Sequence, residues 1–216
     1  MYSEGHGAEV EAAPTSAAGV FGEAWPRVEA FASLLVAEGE LRGLIGPREL
    51  PRLWTRHLLN SSAVSSFIPE GVKFADVGSG AGFPGIVVAI MRPDVDVQLV
   101  EPMERRTEWL GDVTRELALA NVTVVRARAE DLHGVHTYDV VGARAVAALK
   151  KLVPWVGPLI RPGGRLVALK GERAPIEVEE AAKALRKYKL EDAAVHDVLV
   201  DGTDEPTRVV TARRTA

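Results

Sequence analysis

The sequence predicts an α/β protein: a seven-stranded, mostly parallel sheet whose last strand is antiparallel, preceded by an N-terminal helical cap. Three observations predict it. At 216 residues and 47% hydrophobic content the chain can bury one sizeable core but is too short for two full catalytic domains. From residue 72 onward, short runs rich in β-branched residues alternate with helical stretches, the pattern of a parallel sheet covered on both faces. The final two runs are separated only by the turn-rich Asp201-Gly202-Thr203-Asp204-Glu205-Pro206, which permits an antiparallel pair but not a helical crossover.

Residues 1–20 are small, polar and acidic, with few large apolar side chains to offset the entropy of ordering, and are expected to form a disordered tail. From Phe21 to Leu44 the residues Trp25, Val28, Phe31, Leu34, Leu35, Val36 and Leu41 recur at helical spacing, interrupted by Gly39. A second helix follows Pro47 and carries Leu50, Leu53, Trp54, Leu58 and Leu59 on one side. Together these predict a cap over residues 21–68, with the main domain over 69–216. In that domain the strands are expected at Val72–Val77, Val95–Glu101, Val122–Arg126, Tyr138–Gly142, Arg165–Lys170, Ala193–Val200 and Thr207–Ala212. Helices are expected at Phe83–Met91, Met103–Leu119, Val146–Leu159 and Pro175–Tyr188. Five strands joined by helices and closed by a hairpin give the strand count of a Rossmann-like methyltransferase.

Composition narrows the chemistry. A formal charge of −4 gives no overall basic surplus, so any nucleic-acid contact needs a local basic patch. The absence of cysteine excludes disulfides, thiolate metal sites and cysteine nucleophiles. The first residues lack the basic start and apolar run of a signal peptide, and no apolar window reaches membrane-spanning length, so the expected location is the cytoplasm.

The strongest local motif is Asp76-Val77-Gly78-Ser79-Gly80-Ala81-Gly82-Phe83-Pro84-Gly85, which leaves the first strand and enters a helix. Glycines there let the backbone turn tightly and approach a ligand closely. Glu101, at the end of the second strand, is placed to accept from ribose hydroxyls. A nicotinamide cofactor would use the same carboxylate, so the loop must discriminate. Its Gly-x-Gly-x-Gly spacing differs from the dinucleotide fingerprint, which only Gly80, Gly82 and Gly85 match, one step late in the turn. Asp76 and Glu101 would repel a pyrophosphate and suit the cationic sulfonium and amino groups of S-adenosylmethionine, with Gly78, Gly80 and Gly82 shaping its cradle. After the third strand, Arg128-Ala129-Glu130-Asp131 offers Glu130 or Asp131 to the adenine amine, or simply a helix N-terminus with favourably placed acids.

The acceptor is narrowed by what is missing. Pyrimidine C5 methylation usually proceeds through a cysteine adduct. Exocyclic amine methylation usually shows Asn or Asp before Pro-Pro-aromatic after the fourth strand, where this chain has Asp139-Val140-Val141-Gly142-Ala143-Arg144-Ala145-Val146. His57, His133, His136 and His196 show no ligand spacing and are expected at the surface, and no metal is expected. An aromatic ring nitrogen with a free lone pair, such as guanine N7, needs no base.

Arg56-His57-Leu58 with Ser61, the glycine loop, Ala143-Arg144-Ala145 and Leu169-Lys170-Gly171 together closely resemble the small-subunit ribosomal RNA methyltransferase G family, also known as glucose-inhibited division protein B, in an actinobacterial-looking version. The resemblance covers roughly residues 25–212. It implies a class I fold and methylation of guanine N7 in the conserved loop of bacterial 16S rRNA near the decoding site, with the small ribosomal subunit as partner. It also implies that Gly78, Phe83, Ala129, Glu130 and Arg144 contact the cofactor. Asn60 stands where the family usually has Asp, and Ala143 where it usually has Ser. With the family in view, Arg144 and Lys170 are assigned to positioning the substrate. Arg48, Arg52, Arg56 and His57 from the cap, with Arg144, Lys170 and Arg173 at the strand ends, form the candidate RNA patch, the three cap arginines lying at i, i+4 and i+8, as they would also on a simple solvated face. A nicotinamide-dependent oxidoreductase, a non-catalytic RNA-binding protein and a small-molecule methyltransferase are the alternatives.

Overall fold

Strands β1 (Lys73–Val77), β2 (Asp96–Val100), β3 (Val122–Val125), β4 (Tyr138–Arg144), β5 (Ile160–Lys170), β6 (Leu190–Val198) and β7 (Thr207–Arg214) form one sheet in the order β3-β2-β1-β4-β5-β7-β6. The computed structural model describes residues 10–46 and 48–216. Strands β1 to β5 are parallel, and β7 runs antiparallel between β5 and β6. The antiparallel hairpin follows from its short link, as the sequence predicts.

Register aligns Val77 with Val100 on one side and with Ala143 on the other, so the loops leaving β1, β2 and β4 emerge at one edge. The chain goes from β1 out to β2 and β3, then returns to β4 on the opposite side of β1. A ligand crevice belongs at that switch of direction, at the carboxyl ends of the strands.

Among the described residues, seven α-helices surround the sheet: α1 (Ala17–Phe21), α2 (Trp25–Glu38), α3 (Asn60–Ser62), α4 (Gly85–Met91), α5 (Glu104–Glu116), α6 (Leu149–Val156) and α7 (Ala174–Lys187). Alternation along each strand divides the core in two. Phe74, Val97, Leu99, Val140, Val167 and Val209 face α2, α4, α5 and the cap. Ala75, Val77, Val141, Leu166, Ala168 and Val210 face α6 and α7. The cap therefore shares a continuous core with one face of the sheet.

The cap departs from regular helices. Helix α2 ends at Glu38, short of the expected Leu44, because Gly39 accepts from the N–H groups of Leu44 and Ile45 and reverses the chain. The second helix, whose expected start at Pro47 lies outside the described residues, is a composite. It runs from a 3₁₀ turn (Leu50–Arg52) through a π-helical stretch (Leu53–Leu59) and α3 to a second 3₁₀ turn (Ala63–Phe67). Short polar side chains bond back to it: Asn60 Nδ2 to Arg56 O at 3.1 Å, Ser61 Oγ to His57 O at 2.6 Å, and Ser62 Oγ to Leu59 O at 2.7 Å. Such bonds compete with the regular ladder.

Of the expected tail, residues 1–9 lie outside the described residues. Residues 10–20 pack against the cap, with Ala17 buried and α1 formed. Glu11 supplies what composition alone concealed. Its carboxylate accepts from the backbone N–H of Trp54 at 2.7 Å and Thr55 at 3.1 Å, satisfying donors at the start of the π-helical stretch. Among the described residues, no helix is long and apolar enough to cross a membrane.

Near the switch point Gly142 leaves no room for a side chain, since a Cβ there would lie 2.6 Å from the ring of the fully buried Phe74. Gly142→Ala is expected to destabilise the fold by about 1–3 kcal/mol, read from the urea midpoint at unchanged slope.

Candidate functional site

The loop after β1 is held by two buried carboxylates. Asp76 Oδ2 accepts from the Gly85 N–H at 2.9 Å, at the start of α4, where a negative group is favoured. Glu101 accepts from Gly80 N–H through Oε2 and from Met103 N–H through Oε1, both at 3.0 Å. Gly78 donates its N–H to Val100 O at 2.8 Å, and the Trp109 indole of α5 donates to Ala81 O at 3.0 Å. Gly78, Gly80 and Gly82 all have positive φ, at 75°, 56° and 110°, which explains the three glycines.

The loop forms the floor of a cleft of about 700 Å³. Gly78, Gly80, Phe83, Glu101, Ala129, Glu130 and Arg144 all line it, so most of the expected cofactor set converges, and His57 joins them. Asp76 and Gly82 do not line it. Asp76 is fully buried beneath the loop, and Gly82 is turned toward Phe31 and Ile86. Asp76 anchors the loop through the Gly85 N–H, and Gly82 supplies one of its positive-φ turns. Asp131, weighed beside Glu130 for adenine, accepts instead from the Arg128 N–H at 3.0 Å. The strongly buried Asp76 carboxyl is pushed up to about 7 by desolvation, against the pull of the Gly85 N–H, and its Oδ1 has no partner.

Across the loop, Arg144 leaves β4 and lies over Phe83, its Cζ 4.7 Å from the ring centroid. One guanidinium nitrogen lies 2.6 Å from His57 Nδ1, and the other donates to Arg56 O at 3.2 Å. The His57 ring stacks on Phe83 with centroids 5.1 Å apart, and its Nε2 lies 2.7 Å from Glu49 Oε2. Burial, then the Arg144 charge, hold His57 down to about 4. Desolvation also lowers Arg144, to about 10, which leaves it a cation at neutral pH.

Several expected positions differ. His57, expected at the surface and in the RNA patch, is buried with both ring nitrogens engaged. Lys170, expected to position substrate, is turned away from the cleft. It donates to Ala147 O at 2.5 Å and pairs with Glu177 at 2.9 Å, tying the chain between β4 and α6. Arg52 and Arg56 are half exposed and share Glu49, at 3.6 and 3.7 Å. Because this segment winds as 3₁₀ and then π helix, the i, i+4, i+8 stripe from Arg48 is not a straight α-helical face. Arg173 is exposed and faces Glu180 at 3.5 Å. Glu49, Arg106, Met103 and Trp155 also line the cleft or, for Glu49, organise its edge, and sequence reasoning missed them. The acid inside the arginine-rich stretch was the one available signal for Glu49. Among the described residues, no group of three or more His, Asp or Glu is arranged to hold a metal ion.

Sheet order, glycine loop and acid-ended second strand define a Rossmann-like class I methyltransferase that uses S-adenosylmethionine. Solved structures share the fold at low identity. A Thermotoga maritima SAM-dependent O-methyltransferase superposes with TM-score 0.58 at 17% identity, covering 73% of this chain and 65% of that one. M. jannaschii TYW2 in complex with AdoMet gives TM-score 0.58 at 17% identity, covering 74% and 76%. The GidB family model, rRNA small subunit methyltransferase G, matches residues 25–204. Proteins named ribosomal RNA small subunit methyltransferase G are similar throughout. That of Leifsonia xyli is 52% identical over 204 residues, 94% of this chain and 97% of its own. That of Beutenbergia cavernae is 51% identical over 194 residues, 90% and 92%. The chain belongs to the rRNA small subunit methyltransferase G family.

Asp76 gives the site a pH signature. Between its ordinary value of 3.8 and about 7 the folded state holds a proton that the unfolded chain has released, so its contribution to stability falls as pH rises through that window. Asp76→Asn keeps an acceptor for Gly85 and cannot ionise. In thermal melts its stability relative to wild type is expected to be higher at pH 8 than at pH 5.

Proposed function

We propose that this protein methylates guanine N7 in the conserved loop of 16S rRNA near the decoding site, acting in the cytoplasm on the small ribosomal subunit or its RNA. The observation that carries the reading is one cleft with two kinds of polar side chain. Glu101 and Glu130 line it from the β2 and β3 side, with Arg106 3.8 Å from Glu101, and the Arg144 cation lines it from β4, lying over Phe83.

The cofactor fits the residues present. Each Glu101 oxygen accepts one backbone N–H and keeps acceptor capacity for ribose hydroxyls. Glu130 would accept from the adenine amine, Gly78 and Gly80 would let the backbone approach, and Phe83 and Ala129 would wall the site. When bound, S-adenosylmethionine supplies an electrophilic methyl on a sulfonium. The chain's task is then alignment and a suitable field.

Arg144 holds the target guanine or its flanking phosphate through a planar fork of donors. Guanine N7 carries a free lone pair and no proton, so its methylation would pass the positive charge from the donor's sulfonium, as its S–CH3 bond breaks, to the guanine and would require no base. The arrangement supports this acceptor, since His57 has its Nδ1 engaged by Arg144 and the Asp76 carboxyl is buried beneath the loop. The cap over residues 21–68 provides one wall of the RNA face, with Arg52 and Arg56, both paired with the cleft-lining Glu49, as phosphate contacts and the exposed Arg173 as a further one.

Purified protein incubated with methyl-labelled S-adenosylmethionine and unmodified small subunits is expected to yield 7-methylguanosine at one position on nucleoside mass analysis. Arg144→Ala is expected to lower kcat/KM by about 100-fold. Label in another nucleoside, or undiminished transfer by the variant, contradicts the assignment.

A further inference from the structure

We infer that Glu49 and His57 are positioning residues for methyl transfer: Glu49 holds His57 in its Nε2–H tautomer, and the unprotonated Nδ1 of that ring aims the Arg144 guanidinium into the cleft. The inference rests on the reading of this cleft as the transfer site and assigns roles to two residues outside the expected cofactor set.

The donor inventory selects the tautomer. Guanidinium nitrogens only donate, so His57 Nδ1, 2.6 Å from Arg144, is an acceptor. A carboxylate only accepts, so His57 Nε2, 2.7 Å from Glu49 Oε2, carries the proton. One neutral form satisfies both contacts, and the carboxylate on one nitrogen fixes what the other presents. An imidazolium would set an N–H against the guanidinium and break the Arg144 contact.

The charged groups facing the ring agree. Glu49 precedes the 3₁₀ turn, Arg56 lies on the same π-helical stretch, and Arg144 comes from the end of β4. Asp76 on β1 stands beyond Arg144. Two cations therefore oppose a third charge on the ring, and one carboxylate favours it. Burial sides with the cations and keeps His57 neutral at working pH.

Three contacts then fix Arg144 in orientation: His57 Nδ1, the Arg56 carbonyl, and the face of Phe83. The remaining N–H groups of its fork are left for a ligand. His57 is held in turn by stacking on the same Phe83, so cap, glycine loop and β4 meet at one ring.

The test combines nitrogen NMR of imidazole-labelled full-length protein with steady-state kinetics. At pH 7 the His57 signal, assigned by its loss in His57→Asn, is expected to report a neutral ring protonated on Nε2, and Glu49→Gln is expected to mix the tautomers. Glu49→Gln is expected to lower kcat about tenfold with little change in KM for S-adenosylmethionine. His57→Asn, whose Oδ1 replaces the Nδ1 acceptor, is expected to retain about tenfold more kcat than His57→Leu, which has none. Melting curves check that each variant folds, and the wild-type tautomer tests the proposal even where one does not. A proton on Nδ1, or equal kcat for folded Asn and Leu variants, overturns it. Absence of transfer by the wild type on small subunits counts instead against the methyl-transfer reading beneath it.

Discussion

Two carboxylates at the ends of neighbouring strands hold the structure's functional edge together. Asp76 on β1 takes the first N–H of α4, and Glu101 after β2 takes the N–H groups of Gly80 and Met103. Both are buried, so each bond is made where water cannot compete and where losing it leaves an unsatisfied group. Between these anchors the chain makes a turn that requires three glycines at positive φ. The turn delivers Phe83 to the point where cap, loop and β4 converge.

Around Phe83 the division of labour is electrostatic. Glu101 and Glu130 line the cleft on the β2 and β3 side, where Arg106 lies 3.8 Å from Glu101, and the cationic fork of Arg144 stands on the β4 side, held by a backbone carbonyl and a neutral histidine that Glu49 in turn engages. An aromatic face between them lowers the cost of keeping a guanidinium half-buried. The cap takes part directly. Its π-helical stretch carries both His57 and the Arg56 carbonyl toward Arg144, and departures of this kind from regular helix recur at functional sites. Lys170 acts at a distance, fixing the Ala147 carbonyl and hence the chain that continues from Arg144 into α6.

The alternation of short β-rich runs and helices made the sheet legible, and the brevity of residues 201–206 made its antiparallel end legible. The glycine loop, Glu101 and Arg144 were readable because each has a spacing rule or motif behind it. What sequence missed depends on contacts between segments far apart in the chain. Glu11 looks like tail composition until it meets the Trp54 and Thr55 amides. Glu49 and His57 have no shared motif, and an irregular helix brings them together. Asp76 was legible as important, but its burial beneath the loop and its bond to the Gly85 N–H depend on how the loop folds back over it. Lys170 belongs to a recognisable motif, yet only its pairing with Glu177 shows that it faces inward.

The central claim is that this preformed edge receives the methyl donor on Glu101 while Arg144 stays aimed at the acceptor. A crystal structure with S-adenosylhomocysteine tests it most directly. The account predicts ribose hydroxyls on Glu101, the adenine near Ala129 and Glu130, the Gly80 and Gly85 bonds to the two carboxylates intact, and Arg144 still on His57 and Phe83. A ligand seated elsewhere, or a loop that releases both carboxylates to bind it, would contradict the account.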